Sequence, residues 1–250
     1  MSILAMIGGT GLTNIEGLEL IRREVVHTPF GEPSAPLTHG ILQGQPVVFI
    51  PRHGSGHTIP PHQVNYRANL WALKHLNVSA VIAIAATGGI QRELLPGTLV
   101  IPDQLIDYTW GRQHTFFEHD LSHVTHIDFT EPYCRELREQ LLQAGRAAGI
   151  PLVEKGTYGA TQGPRLETAM EVRRLANDGC DIVGMTGMPE ASLARELGLC
   201  YACCSVVANK AAGLCEHEIT MQEIQSNLVA GMKQVTQLLI QLLCDRHLTP

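Results

Sequence analysis

Short apolar runs bounded by Gly and Pro recur along the 250 residues of this chain. Leu4–Ile7, Val47–Ile50, Ala80–Ala85, Thr98–Ile101, Ile182–Met185 and Leu199–Val207 have the length of strands buried on both faces. Between several of them apolar residues return at helical spacing, over Gln63–His75, Pro132–Ala148, Glu167–Asp178, Pro189–Leu197 and about Thr220 to Cys244. Alternating strands and helices predict an α/β sandwich: a mainly parallel, mixed central sheet flanked by helices. No repeat, low-complexity segment or linker breaks the pattern, so residues 1–250 are expected to form a single domain. A hydrophobic content of 44% suffices for its core.

Composition narrows the partners. A formal net charge of −6, with no Lys/Arg cluster, excludes a nucleic-acid surface and leaves local binding of small anions open. The apolar start, Met1–Gly8, is too short to span a membrane and has no basic leader, so a soluble, cytoplasmic protein is expected. Seven cysteines, several of them in apolar runs (Cys200, Cys203, Cys204) and without a repeated spacing, read as reduced core thiols. Cys200 and Cys203 match a CxxC spacing, but inside a strand-like run, which favours packing over redox or metal chemistry.

Ligands of open α/β sheets gather beyond the carboxyl ends of strands, so the residues just after each apolar run matter most. After the first comes Gly8-Gly9-Thr10-Gly11, where exposed amides and the Thr10 hydroxyl suit an anion; a plain tight turn is the other reading. Asn14 stands where a dinucleotide fingerprint needs glycine, and no phosphate-loop lysine is present. After the second comes Arg52-His53-Gly54, a guanidinium fork suited to phosphate beside a hydrogen-bonding imidazole, or else a surface Arg and a loop histidine. Ala85-Ala86-Thr87-Gly88-Gly89 leaves room for sugar or phosphate, though alone it is an ordinary turn. Thr161–Thr168, Gly184–Glu190 and Val207–Lys210 put an acid, a hydroxyl and an amide at three successive element ends, more polar chemistry than packing requires. His114, His119, His123 and His126 follow no zinc spacing and read as loop histidines, one of them lining a substrate pocket. Neither a metal nor a cofactor is expected.

Gly8-Gly9-Thr10-Gly11, Arg52-His53-Gly54, the Asn65–Lys74 segment NYRANLWALK, Gly163-Pro164-Arg165 and Met185-Thr186 followed by Met188-Pro189-Glu190 together resemble the trimeric nucleoside phosphorylase family. That family contains methylthioadenosine phosphorylase and purine nucleoside phosphorylase. The resemblance runs through nearly the whole chain and implies a homotrimer with sites near subunit interfaces, and inorganic phosphate as co-substrate. It implies that Thr10, Arg52, His53, Ala86 and Thr186 surround phosphate and that Met185 lies along the ribose. Ala85 departs from the Thr or Asn usual in the family.

The base side points to a 6-oxopurine. Methylthioadenosine phosphorylases resemble this chain but carry Asp at the position of Asn209, Asp again at that of Ala211, and Ser at that of Glu167. A 6-oxopurine offers a ring N–H that Glu167 can accept, while the Asn209 amide can donate to the imidazole nitrogen. Adenine lacks that N–H and leaves the carboxylate unpaired. Glu167 as a mere helix-start acid is the alternative. Leu166 adjoins this pair. By resemblance, Met221, Ile224 and a neighbouring subunit's His126 would enclose the 5' substituent of the sugar. A Met where ordinary nucleoside phosphorylases place a His favours methylthioinosine over inosine or guanosine, although Met on an amphipathic helix is often core. The expected reaction is direct phosphorolysis of methylthioinosine, with Asn209 and His53 as its catalytic residues. A general inosine and guanosine phosphorylase, a silent nucleoside-binding protein and, less favoured, a nucleotide-dependent oxidoreductase are the alternatives.

Overall fold

The computed structural model describes residues 3–9, 17–119, 121–215 and 217–248. Its scaffold is an eleven-stranded mixed sheet. The strands are β1 (Ile3–Gly8), β2 (Glu19–Glu24), β3 (Leu37–Leu42), β4 (Gln45–Pro51), β5 (Val78–Gly89), β6 (Leu99–Val100), β7 (Gln104–Asp107), β8 (Leu152–Val153), β9 (Thr157–Ala160), β10 (Ile182–Gly184) and β11 (Cys200–Lys210). Five helices accompany them: α1 (Tyr66–His75), α2 (Arg135–Ala147), α3 (Ala169–Asn177), α4 (Gly187–Glu196) and α5 (Met221–Leu248). All six expected strands and five expected helices are present, with shifted ends. None of these helices is long and apolar enough to cross a membrane.

Strand periodicity separates two cores. In β1, Ala5 and Ile7 join Val48, Ile50, Tyr66, Leu70 and Leu193 on the face covered by α1 and α4. Leu4 and Met6 join Phe49, Ile82, Leu141 and Leu238 on the face covered by α2 and α5. Burying both faces requires continuously apolar strands, which is why these runs lack polar alternation. Strands β2, β3, β7, β8 and β9 escape the sequence reading because they are short or partly exposed; β2, ELIRRE, is exposed at five of its six positions.

Two expectations are corrected. The segment from Ala85 to Gly89 is not a turn after a strand; it is the second half of β5, paired with β11 along its length. The cysteines are not all reduced, since Cys134 and Cys200 form a disulfide across 66 residues. Cys134 caps the start of α2 and its amide donates to the Tyr201 carbonyl at 2.7 Å, so helix packing on β11 brings the thiols together. Nothing in the local spacing announces that contact. Cys203, by contrast, is a free thiol sealed in the core.

Candidate active site

The central strand β5 changes neighbours on one side. Its pairing with β1 ends at Ile7 opposite Ala83, and its pairing with β10 begins at Gly88 opposite Val183. Between these ends no described strand pairs with β5 on that side, and Ala86 is the exposed residue in a strand otherwise buried from Ala80 to Gly89. The sheet divides here, and beyond such a division open α/β sheets receive ligands in a cleft. Ala85, the departure from the family pattern, is buried in the core covered by α1 and α4.

Arg52 follows β4 and its amide donates to the Gly8 carbonyl at 2.9 Å, locking the ends of β1 and β4. The side chain is only 2% exposed. Its Nε and Nη2 donate to the two Glu190 oxygens at 2.6 and 2.8 Å, Nη1 to the Ile84 carbonyl and Nη2 also to that of Ile7. Glu190 further accepts from the Tyr201 hydroxyl at 2.9 Å. Burial works against the Arg52 charge, but the Glu190 carboxylate prevails and holds its pKa above the usual range. The fork that the sequence suggested for phosphate is thus turned onto Glu190, and one Nη1 hydrogen is left for an anion.

His53, half-buried, donates from Nδ1 to the Ile59 carbonyl at 2.8 Å, which leaves Nε2 as the acceptor nitrogen. Desolvation, reinforced by the Arg52 charge, pushes its pKa down to about 4. The imidazole is therefore neutral at physiological pH.

Thr186 stands at the start of α4 without capping it, and its backbone amide donates to the buried Tyr158 hydroxyl at 3.3 Å. Burial pushes the Tyr158 pKa up to about 12, so the phenol stays neutral. Close approach is built into this corner: a Cβ on Gly184 would overlap the Tyr158 hydroxyl, and one on Gly163, at φ +60°, would overlap Met185 Sδ.

The residues expected on the base side lie in the loop between β9 and α3 and at the end of β11. Glu167 accepts from the Thr161 hydroxyl at 2.6 Å, and the Thr161 amide donates to the Gly184 carbonyl. Asn209 is 7% exposed and lies opposite Gly88 of β5, whose other neighbour is Val183 of β10. It follows a register shift in β11, and its Nδ2 donates to the Lys210 carbonyl at 2.7 Å. Asn227 of α5 donates to the Ala208 carbonyl at the same irregularity. Ala211 is buried against Val172 and Val183, with its amide on the Gly89 carbonyl.

Other expected residues lie on the outside of the chain. Met221, the first residue of α5, is 66% exposed, and Leu166 is 43% exposed. Ile224 is half-buried and His126 is exposed, as are His114, His119 and His123. Thr10 falls outside the described residues. The sequence reading also missed Arg112, which binds several of the loops above, and the partnerships of Glu190, Tyr158 and Tyr201. Glu190 sits in a motif already singled out, but nothing local marks Arg112 as more than a loop cation.

The Phosphorylase superfamily profile matches residues 3–243. Over 243 residues, 97% of this chain and 99% of the relative, the sequence is 52% identical to a probable S-methyl-5'-thioinosine phosphorylase of Pseudomonas syringae pv. tomato. It is 44% identical to a 6-oxopurine nucleoside phosphorylase of Pyrococcus furiosus, covering 96% of this chain and 91% of that one. Among solved structures, methylthioadenosine phosphorylase from Schistosoma mansoni in complex with adenine superposes with a TM-score of 0.94 at 33% identity, over 100% of this chain and 93% of its own.

Proposed function

Because this chain belongs to the Phosphorylase superfamily, as a nucleoside phosphorylase, we propose that it cleaves S-methyl-5'-thioinosine with inorganic phosphate. The products are hypoxanthine and 5-methylthioribose 1-phosphate. The observation that supports the purine assignment is that Glu167, in the loop after β9, and Asn209, at the end of β11, both stand at the end of the sheet where β10 and β11 flank β5. Thr161 already donates to one Glu167 oxygen, which leaves the other free to accept a 6-oxopurine ring N–H.

Phosphate binds at Thr10, the remaining Arg52 N–H, His53, the Ala86 amide and Thr186, with the ribose along Met185. A neutral His53 with Nε2 as acceptor can take a hydrogen bond from a phosphate hydroxyl without adding a charge. The bond from the anomeric carbon to the purine nitrogen breaks as the sugar gains oxocarbenium character. A phosphate oxygen then forms the new bond to that carbon, the electron pair leaves with the base, and in the net reaction the proton of the hydrogen phosphate ends on the departing hypoxanthine. Asn209 donates to the purine imidazole nitrogen as negative charge builds there, and Glu167 holds the opposite edge. No metal or cofactor enters; catalysis rests on positioning two reactants in a preformed site.

The 5' side needs a second copy. Met221 and Leu166 are exposed in the single chain, as are Trp110, Val124 and Met170, a set of apolar side chains suited to burial between subunits. We place them at the interfaces of a homotrimer, where His126 of a neighbour closes over the thiomethyl group. A cytoplasmic location fits a small-metabolite enzyme of this kind.

The test is phosphate-dependent base release from methylthioinosine, inosine, guanosine and methylthioadenosine, compared by kcat/KM. Preference for methylthioinosine supports the whole reading. Preference for inosine or guanosine keeps the base side and removes the 5' assignment; preference for methylthioadenosine overturns both.

A further inference from the structure

Arg112 follows β7 in the loop Trp110-Gly111-Arg112, where Gly111 adopts φ +65°. The residue is 7% exposed, and among the described residues every polar partner of its guanidinium is an uncharged oxygen. Nη1 donates to the Met185 carbonyl at 2.8 Å, the Met188 carbonyl at 2.6 Å and the Tyr66 hydroxyl at 3.3 Å. Nη2 donates to the Thr161 and Gln162 carbonyls at 3.2 and 2.8 Å, and Nε to Gln162 Oε1 at 3.2 Å. The Tyr66 ring lies under the cation, 5.6 Å from centroid to Cζ.

These partners fall into two groups. Met185 and Met188 bracket Thr186, which belongs to the phosphate side. Thr161 and Gln162 begin the loop that leads to Glu167, and the Thr161 hydroxyl is the donor that orients the Glu167 carboxylate. One rigid planar fork therefore spans the two loops that hold the two reactants. A lysine has a single point of donation and cannot span them.

We propose that Arg112 is the positioning residue of this site: it sets the distance between the phosphate loop at Thr186 and the purine loop at Glu167, touching neither reactant. The inference rests on the phosphorylase reading given above. A displacement on the order of 1 Å between two reactants costs about 100-fold in rate, so loss of the fork is expected to act on chemistry and on both substrates together. With no carboxylate among its described partners, the cation also adds positive potential to the corner that receives the phosphate dianion.

The experiment compares wild type, Arg112→Lys and Arg112→Ala with methylthioinosine or inosine, whichever the wild type cleaves better. Arg112→Lys keeps charge and stem, so it guards against simple unfolding of the Ala variant; thermal melts run alongside. Folded Arg112→Lys is expected to lose about 100-fold in kcat/KM, with KM raised for both phosphate and nucleoside. Thr186→Val and Glu167→Gln, each severe in wild type, should cost far less when added to Arg112→Lys, because the fork acts through both. A merely structural Arg112 would give additive losses. Wild-type-like kinetics in folded Arg112→Lys, additive double variants, or a change in only one KM would overturn the proposal. A wild-type enzyme inert with every nucleoside would instead refute the phosphorylase reading, leaving the two failures distinct.

Discussion

Arg52 and Glu190, 138 residues apart in sequence, face each other in the core through two hydrogen bonds of 2.6 and 2.8 Å. Both side chains are almost wholly excluded from solvent. The pair ties the end of β4 to α4, so the wall of the cleft and the helix that follows Thr186 are held as one unit. Removing one partner of such a pair strands a buried charge. Glu190→Gln should therefore lower the free energy of unfolding by on the order of 3 kcal/mol, read from urea denaturation midpoints. An unchanged midpoint would mean that the Arg52 charge is compensated elsewhere.

His53 gives the site a defined pH signature. The free imidazole has a pKa of 6.5, and burial brings it to about 4 in the folded protein. Between those values the unfolded chain takes up a proton that folded His53 refuses. The stability it contributes is full above pH 6.5 and declines as pH falls towards 4. Stability curves of wild type and His53→Gln should run parallel above that window and converge or cross within it. The same shift predicts no inflection near 6.5 from His53 in the pH profile of kcat/KM for phosphate. Titration of the assigned His53 imidazole near 6.5 by NMR would contradict both.

Asn209 should matter for bond breaking more than for phosphate capture. Asn209→Ala is expected to lower kcat by roughly 100- to 1,000-fold, as loss of one preorganised donor to a developing anion does, with KM for phosphate within a few-fold of wild type. Single-turnover kinetics separate the two effects. Equal turnover in the variant would remove Asn209 from the reaction.

Met221 decides the 5' substituent if the pocket is built as proposed. Met221→His should raise kcat/KM for inosine and lower it for methylthioinosine, moving their ratio by about 10- to 100-fold, the range one apolar or polar contact can command. A ratio unmoved by the substitution would show that other side chains meet the 5' group.

The alternation of β1, β4, β5, β10 and β11 with helices was legible because burial of a two-faced strand demands a continuous apolar run, which is a local property. Glu167 and Asn209 stood out as candidate base contacts from the types of residue at element ends. Their environment was not: Thr161 as the orienting donor and the irregular register before Asn209 arise from strands β9 and β11 paired with distant neighbours. Polar or short strands such as β2 and β9 left no periodic trace.

Sequence by itself thus determined the fold class, the apolar faces and the inventory of groups able to meet phosphate and purine, since each depends on residue type and short-range spacing. Tertiary structure decided which groups are spoken for. Ala86 is open because β1 leaves β5 before β10 arrives, Arg52 is turned inward because Glu190 lies behind it, Cys134 meets Cys200 because α2 packs on β11, and Arg112 spans two loops because β7 ends beside them. Each outcome depends on strand register and chain crossings between residues tens of positions apart, which no local pattern encodes.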